Sequence, residues 1–222
     1  MIPKIQLTKE NLFKIVLRFG LLAIGGLLDG LGVAMQIKAN WGPDPMSLFY
    51  DGIHQFFGIT TGQAYNVVVF TFIALAIVIN FRQLGFGTVI VPFFVKIGID
   101  QGLNLMTFEL SRVMNLVLLA AGIIVLALGV ATIVVADMGK GAFDAFVLGV
   151  MERLNTKYYK VRRPIDLIFL VGGIMMGGTF SATTVIIAFI IGPVISFAID
   201  FFKKVVGNRL ELSFVHDQDM AI

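Results

Sequence analysis

The feature that most constrains this chain is an internal repeat at an offset of 97 residues. Residues 32–52 and 129–149 each run from a long apolar stretch through a Gly/Pro-type break into a short amphipathic segment. Seven of the 21 aligned positions are identical, where about one in ten would match by chance in so biased a composition. The identical pairs are Gly32/Gly129, Val33/Val130, Ala34/Ala131, Ala39/Ala136, Gly42/Gly139, Phe49/Phe146 and Gly52/Gly149. Paired, interrupted hydrophobic segments indicate the position of a binding site in transporters.

The composition predicts an integral membrane protein. Hydrophobic residues make up 58% of the chain and charged residues 14%, against about 25% charged in soluble domains. We expect one membrane domain over 1–208, a polar C-terminal tail over 209–222, and membrane lipid as a partner. The chain has no cysteine, and its two histidines, His54 and His216, are far apart. We therefore expect no enzyme activity, no cofactor and no metal site, and we expect no nucleic-acid partner.

Segment length and hydropathy predict an all-α polytopic fold with about six transmembrane helices. A span needs about 20 apolar residues. The segments that qualify are 14–36, 63–80, 84–100, 113–136, 164–180 and 183–202. Two segments, 44–57 and 141–154, are too short and too polar to be ordinary spans, which predicts short re-entrant or interfacial helices.

The basic residues predict the orientation. With the N-terminus inside, fourteen of the 17 Lys and Arg residues fall on the cytoplasmic side. We therefore expect a plasma-membrane protein with both termini cytoplasmic. Repeat one covers about 14–100 and repeat two about 113–203. Because each repeat has three spans, an odd number, the two repeats are expected to be inverted relative to each other. If the two short segments crossed the bilayer, each half would have four spans and the copies would be parallel; length and polarity favour six spans in total.

The two breaks carry the candidate substrate-binding residues. Pro43 and Pro45 lack an amide hydrogen, and glycines permit unusual backbone angles, so the helix must restart at each break. Asp44 or Ser47 is a candidate cap for the new helix, and free amides at its start would favour a small polar or anionic substrate. A tight turn with capping residues is the alternative. The candidates are Asn40, Trp41, Gly42, Asp44 and Ser47, with Asp137, Gly139, Lys140, Gly141 and Asp144 in the second copy.

Ionisable groups within the spans are candidates for ion coupling. Charge in lipid is costly, so such groups usually face a cavity or a partner. We expect Lys96 to be the counter-ion of Asp29; the alternatives are a purely structural pair, or a Lys96 side chain that extends towards the interface. Asp166 lies near the start of the second span of its half, as Asn66 does in the first half, so both could line the pseudo-symmetry axis, although a capping role fits equally well.

Several motifs resemble the bacterial YczE/YitT group of small integral membrane proteins. They are Gly32, Ala34, Gly42 and Pro45 around the first break, Gly62 with Asn66 in the next span, and Gly87 with Thr88 before the third. The resemblance extends from about Phe19 to Asp200. It implies a bacterial plasma-membrane protein of about six spans without an established substrate. The second copy departs from the pattern at Lys140 and Thr183.

We interpret the chain as a small transporter or permease whose site lies near the midplane at the paired breaks. The alternative is a non-transporting scaffold or regulator that acts through partner helices or through the basic segment 157–163, which would attract anionic groups. Neither reading predicts the substrate, the coupling ion or the oligomeric state.

Overall fold

The structure is a computed structural model that describes residues 9–80 and 84–210, without the side chains of 9–14, 158–159 and 206–210. These residues form eight helices. They are α1 (Lys9–Lys38), α2 (Pro45–Phe57), α3 (Thr61–Asn80), α4 (Phe86–Leu105), α5 (Arg112–Ala136), α6 (Ala142–Leu154), α7 (Tyr158–Met175) and α8 (Ala182–Leu210). The predicted tail over 209–222 overlaps the end of α8, and 211–222 lie outside the described residues.

Five of the helices are long and apolar enough to cross a membrane. They are Ile15–Lys38 within α1, α3, α4, α5 and Ala182–Val205 within α8. The prediction of a polytopic, all-helical membrane protein is confirmed at this level. The predicted span 164–180 corresponds to α7, which starts earlier, ends at Met175 and includes Lys160, Arg162, Arg163 and Asp166. These charges keep α7 out of the group of apolar helices, so its crossing stays a prediction.

Helices α1 and α5 cross in close contact through four glycines. Gly25 lies against the backbone of Gly129, and Gly32 lies against Leu126, while Gly122 lies against the carbonyl of Gly32. Residue numbers therefore rise along α1 as they fall along α5, so the two helices are antiparallel. When each residue of a contact is replaced by its equivalent in the other repeat, 97 positions away, a second observed contact results. The contact Gly25–Gly129, for example, becomes Gly122–Gly32. The repeat seen in the sequence thus has a counterpart in the packing.

Helix α4 packs on α1 in the parallel direction. Gly26 lies against Phe94, and Gly102 lies against Ala34, so residue numbers rise together along both helices. Between them in sequence, α3 runs the opposite way along α4, because Gly62 lies at Asp100 while the rings of Phe70 and Phe93 are 5.7 Å apart. Helices α1, α3 and α4 therefore alternate in direction.

The two short helices begin and end almost where the sequence predicts, at Pro45–Phe57 and Ala142–Leu154. Each packs on the second long helix of the other half. Gly52 of α2 lies against the backbone of Gly173 in α7, and Gly149 of α6 lies against Asn80 at the end of α3. At Gly52 a Cβ would lie 2.7 Å from the carbonyl oxygen of Gly173, so a glycine is needed there, while Gly149 makes a looser contact with side-chain atoms of α3. A cluster of aromatic rings between these pairs includes Phe72, which contacts Phe143 at a centroid distance of 5.3 Å.

Candidate functional site

The first break turns the chain sharply after α1. Asn40 and Gly42 both have positive φ angles, 54° and 89°, which glycine adopts without strain and asparagine tolerates. The hydroxyl of Thr183 donates a hydrogen bond to the carbonyl of Trp41. Gly42 packs against Ser181 and Thr184 so closely that a side chain would not fit. The break is thus held by the start of α8, which belongs to the other half.

Asp44 caps the start of α2, as one of the sequence interpretations predicts. Its Oδ1 accepts hydrogen bonds from the amides of Met46 and Ser47 at 3.0 and 3.2 Å. Its Oδ2 accepts one from the Ser47 hydroxyl at 2.5 Å. The amide of Asp44 donates to Oε1 of the fully buried Gln36 at 3.2 Å. Because the carboxylate already occupies the first free amides of α2, the argument for an anionic substrate at this helix start is weakened.

The second break is held in the same manner by the start of α4. Asp137 and Gly139 have φ angles of 50° and 130°. The hydroxyl of Thr88 donates to the carbonyl of Lys140 at 2.6 Å, and the amide of Gly87 donates to the carbonyl of Met138 at 2.8 Å. Helix α6 then begins at Ala142, and Gly141 before it supplies no side-chain cap. Asp144 in its first turn places a carboxylate where the helix dipole favours one.

The structure does not bring the two breaks together. Asp137 lies beside Arg18, with Arg18 Nη1 3.4 Å from its carbonyl oxygen, whereas Asp44 lies beside Gln36. Arg18 and Gln36 are separated by about 27 Å along α1 at a rise of 1.5 Å per residue. The reason is that each break follows the C-terminal end of α1 or α5, and antiparallel helices place these ends apart. A single site that gathers 40–42 with 137–141 is therefore wrong for this structure.

What the structure does place together is a charged cluster around Arg162, between the starts of the two short helices. Arg162 Nη1 lies 3.7 Å from Asp144 Oδ1, and its Nε lies 3.4 Å from Asp166 Oδ2. The guanidinium carbon lies 5.2 Å from the centroid of the Phe143 ring, within range of a cation–π interaction. Arg162 also attracts Asp44 electrostatically. Both halves therefore contribute charge to one cluster.

Asp29 extends this cluster along α1. It lies within electrostatic range of Asp44 and of two tyrosines, Tyr50 of α2 and Tyr65 of α3. The rings of these tyrosines are 5.2 Å apart in an edge-to-face arrangement. We define the central cluster as Asp29, Asp44, Tyr50, Tyr65, Asp144, Arg162 and Asp166.

Lys96 does not belong to the central cluster. Its Nζ lies 2.8 Å from Oδ2 of Asp100, one turn further along α4, and the prediction that it is the counter-ion of Asp29 is wrong. Asp100 also accepts a hydrogen bond from the amide of Gly62 at 2.9 Å. This pair thus fixes the end of α4 against the start of α3, which is a structural role.

Three buried polar atoms among the described residues have no hydrogen-bond partner. They are Nε2 of Gln36, Oδ1 of Asn66 and Oγ1 of Thr184. Asn66 follows Tyr65 of the central cluster, and Gln36 bonds to Asp44, so two of the three lie at its border. Unpaired buried polar atoms cost about 1–3 kcal/mol each, which makes these positions suited to water or a polar ligand. The described residues contain no group of His, Asp and Glu arranged to hold a metal ion.

Sequence reasoning missed Arg162, Gln36 and the two tyrosines. Arg162 belongs to a basic segment that the positive-inside pattern already explains. Nothing in that pattern distinguishes Arg162 as the residue that pairs with Asp144 and Asp166. Two signals could have pointed to it: Asp166 follows at i+4, and the offset of 97 pairs Arg162 with Tyr65. Both positions of that pair contribute to the central cluster.

Comparison with known proteins gives a family without an assigned role. No curated protein and no solved structure matches the chain. The naming of the YczE/YitT group therefore stays a resemblance. A family of unknown function, DUF6198, matches residues 16–200, which include every member of the central cluster. Since that match covers most of the sequence, the chain belongs to the DUF6198 family of unknown function.

Proposed function

We propose that this protein is a small membrane transporter or permease in which a polar solute passes the central cluster. The observation that carries the proposal is that Asp144, at the start of one short helix, forms an ion pair with Arg162, while Asp44, at the start of the other, lies within electrostatic range of the same arginine. Charged side chains inside a membrane protein are retained at a cost and usually mark the path of an ion or substrate. Here the carboxylates of Asp144 and Asp166 pair with one guanidinium. Asp44 and Asp29 add two further carboxylates to the cluster, and this excess of acid suits coupling to protons or to a cation.

The architecture that we propose is six crossing segments in two inverted halves, with α7 as the fifth. Support comes from the antiparallel crossing of α1 and α5 and from contacts that exchange under the offset of 97. Further support comes from α7, which packs along α2 as α3 packs along α6. Inverted repeats with broken helices are common in secondary transporters, where one half rocks against the other.

The two breaks have a role in this proposal that differs from direct substrate binding. Each break is fastened to the opposite half by a threonine hydroxyl, from Thr183 to Trp41 and from Thr88 to Lys140. These bonds lie near opposite ends of α1. We infer that they hold the two ends of the pathway and that opening at one end accompanies closure at the other.

The scaffold alternative loses part of its basis, because Arg162 of the basic segment 157–163 is paired with Asp144 and Asp166 of the protein itself. It remains an outcome of the test below. A scaffold requires no water access to the central cluster from either side of the membrane.

Cysteine accessibility tests the proposal directly, since the natural chain contains no cysteine. Ser47→Cys places a thiol beside Asp44 at a position that is 1% exposed. A membrane-impermeant thiosulfonate is applied separately to right-side-out and inside-out vesicles. Alternating access predicts that this thiol reacts from both sides. Reaction from one side only, or from neither, would overturn the proposal.

Two kinds of control sharpen the result. Val78→Cys is on the exposed surface of α3, where its side chain is 78% exposed, and as a lipid-facing thiol it should react from neither side. Arg162→Gln in the Ser47→Cys protein removes the positive charge near the starts of both short helices. It should change the ratio of the rates at which the thiol reacts from the two sides of the membrane. Arg163→Gln, on the neighbouring exposed residue, should leave that ratio unchanged.

A further inference from the structure

A polar cavity lies where α1 ends and α5 begins, apart from the central cluster. Its volume is about 290 Å³, and it is lined by Ala39, Asn40, Trp41, Arg112 and Asn115. At about 30 Å³ per water molecule, this volume accommodates a small ion with several waters or one headgroup-sized ligand. We call this space the α5 pocket.

The polar groups of the α5 pocket are nearly all hydrogen-bond donors or neutral amides. Arg112 supplies a guanidinium, Trp41 an indole N–H, and Asn40 and Asn115 supply side-chain amides. No carboxylate lines the pocket. Within the part of the chain that the structure describes, Arg112 forms no ion pair, in contrast to Arg18 and Arg162. Its charge is therefore available to a ligand.

The backbone adds to the positive potential of the α5 pocket. Arg112 is the first residue of a helix of 25 residues, and the start of a helix favours negative charge through its free amides and its dipole. Ser111 caps only the amide of Met114. Arginine, helix start and amide donors therefore converge on one cavity, and this combination is typical of sites for carboxylate or phosphate groups.

We propose that the α5 pocket binds a small oxyanion, either a carboxylate or a phosphate, with Arg112 as its principal ligand and Asn40, Trp41 and Asn115 as further donors. The anion is either a free solute or the phosphate of a lipid headgroup. The proposal is independent of transport through the central cluster, because the two sites have no residue in common. They are linked only by the turn that joins Asn40 and Trp41 to Asp44.

Trp41 is the only tryptophan in the chain, so its fluorescence reports on the α5 pocket without labelling. The purified protein in dodecyl maltoside is quenched with iodide, which is an anion, and with neutral acrylamide. Arg112→Gln should reduce iodide quenching several-fold and leave acrylamide quenching unchanged. Titration with inorganic phosphate should change the emission, and Arg112→Gln should weaken the apparent affinity about tenfold, the effect of losing one charged hydrogen bond.

Two variants and two lipid compositions complete the test. Lys38→Gln removes a nearby basic residue of α1 that does not line the pocket and should behave like the natural protein. Arg112→Lys should retain part of the affinity, which shows that charge rather than misfolding is responsible. In nanodiscs of phosphatidylcholine, a response to phosphate that disappears on adding phosphatidylglycerol identifies a lipid headgroup as the occupant; a response that persists identifies a free anion. Equal iodide quenching of the natural protein and Arg112→Gln, or no response to phosphate in any of these media, would overturn the proposal.

Discussion

Replacing Gly129 with alanine tests the close crossing of α1 and α5 on which the proposed inverted arrangement depends. A Cβ at this position would lie 2.7 Å from Cα of Asp29 and 2.8 Å from the carbonyl oxygen of Gly25. Ordinary carbon contacts are about 3.5–4.0 Å, so the two backbones must separate by about 1 Å. All the atoms concerned belong to backbones inside long helices, and no flexible side chain can move aside instead.

The magnitude follows from a comparison with Gly20 of α1, the other helix of the crossing, where an added Cβ would have no atom within 4 Å. Glycine to alanine in a helix gains about 1 kcal/mol of intrinsic propensity at both positions. This gain cancels when the two variants are compared. What remains is the cost of overpacking at Gly129, about 1–3 kcal/mol.

The assay is unfolding of the purified protein in mixed micelles with increasing dodecyl sulfate, followed by the emission of Trp41. We expect Gly129→Ala to be less stable than Gly20→Ala by about 1–3 kcal/mol. Gly32→Ala should show a similar loss, because Gly32 is the equivalent of Gly129 and lies against the backbone of Leu126. If Gly129→Ala were as stable as Gly20→Ala, the close antiparallel crossing and the inverted arrangement built on it would be refuted.

Two further predictions concern the first short helix. Asp44→Ala should destabilise the protein by about 0.5–2 kcal/mol through loss of the α2 cap. Asp44→Asn can still accept a hydrogen bond from the amide of Ser47 and should unfold nearly like the natural protein in the same titration. Equal losses of stability in both variants would contradict the capping role. Asp51 is 2% exposed and accepts a hydrogen bond from the amide of Thr179 at 2.8 Å. Asp51→Ala should destabilise the protein by about 1–3 kcal/mol and should speed hydrogen exchange at the Thr179 amide. Unchanged exchange at Thr179 would show that this bond does not hold α2.

The sequence predicts the helices well because their signals are local. Apolar runs of about 20 residues indicate spans, and prolines and glycines interrupt them, so the limits of α2 and α6 are predicted to within one residue. The same local reasoning fails at α7. Its N-terminal half is basic and its C-terminal half apolar, and the apolar half alone predicts a span that starts at Pro164 rather than at Tyr158.

The candidate site is predicted only in part, because it depends on which helices are neighbours. Asp29, Asp44, Asp144 and Asp166 are all recognisable in the sequence as ionisable groups at unusual positions, and all four belong to the central cluster. Their partner is not recognisable: charge pattern alone places a basic residue on the cytoplasmic side, and only the packing of α6 against α7 turns Arg162 towards Asp144. The expected pairing of Lys96 with Asp29 is wrong since Asp100, one helical turn away, is closer than Asp29 on another helix.

The sequence by itself determined that this is a helical membrane protein with a duplicated, interrupted first segment, since hydropathy and backbone-breaking residues act over a few turns of chain. Only the tertiary structure decided where the duplicated parts lie. Because glycines let α1 and α5 approach in opposite directions, the two breaks end up far apart. Asp144 at the start of α6 nevertheless pairs with Arg162, and Asp44 at the start of α2 lies within electrostatic range of it. Direction of packing has no signature in composition, and it is this direction that separates the breaks from the site they were expected to form.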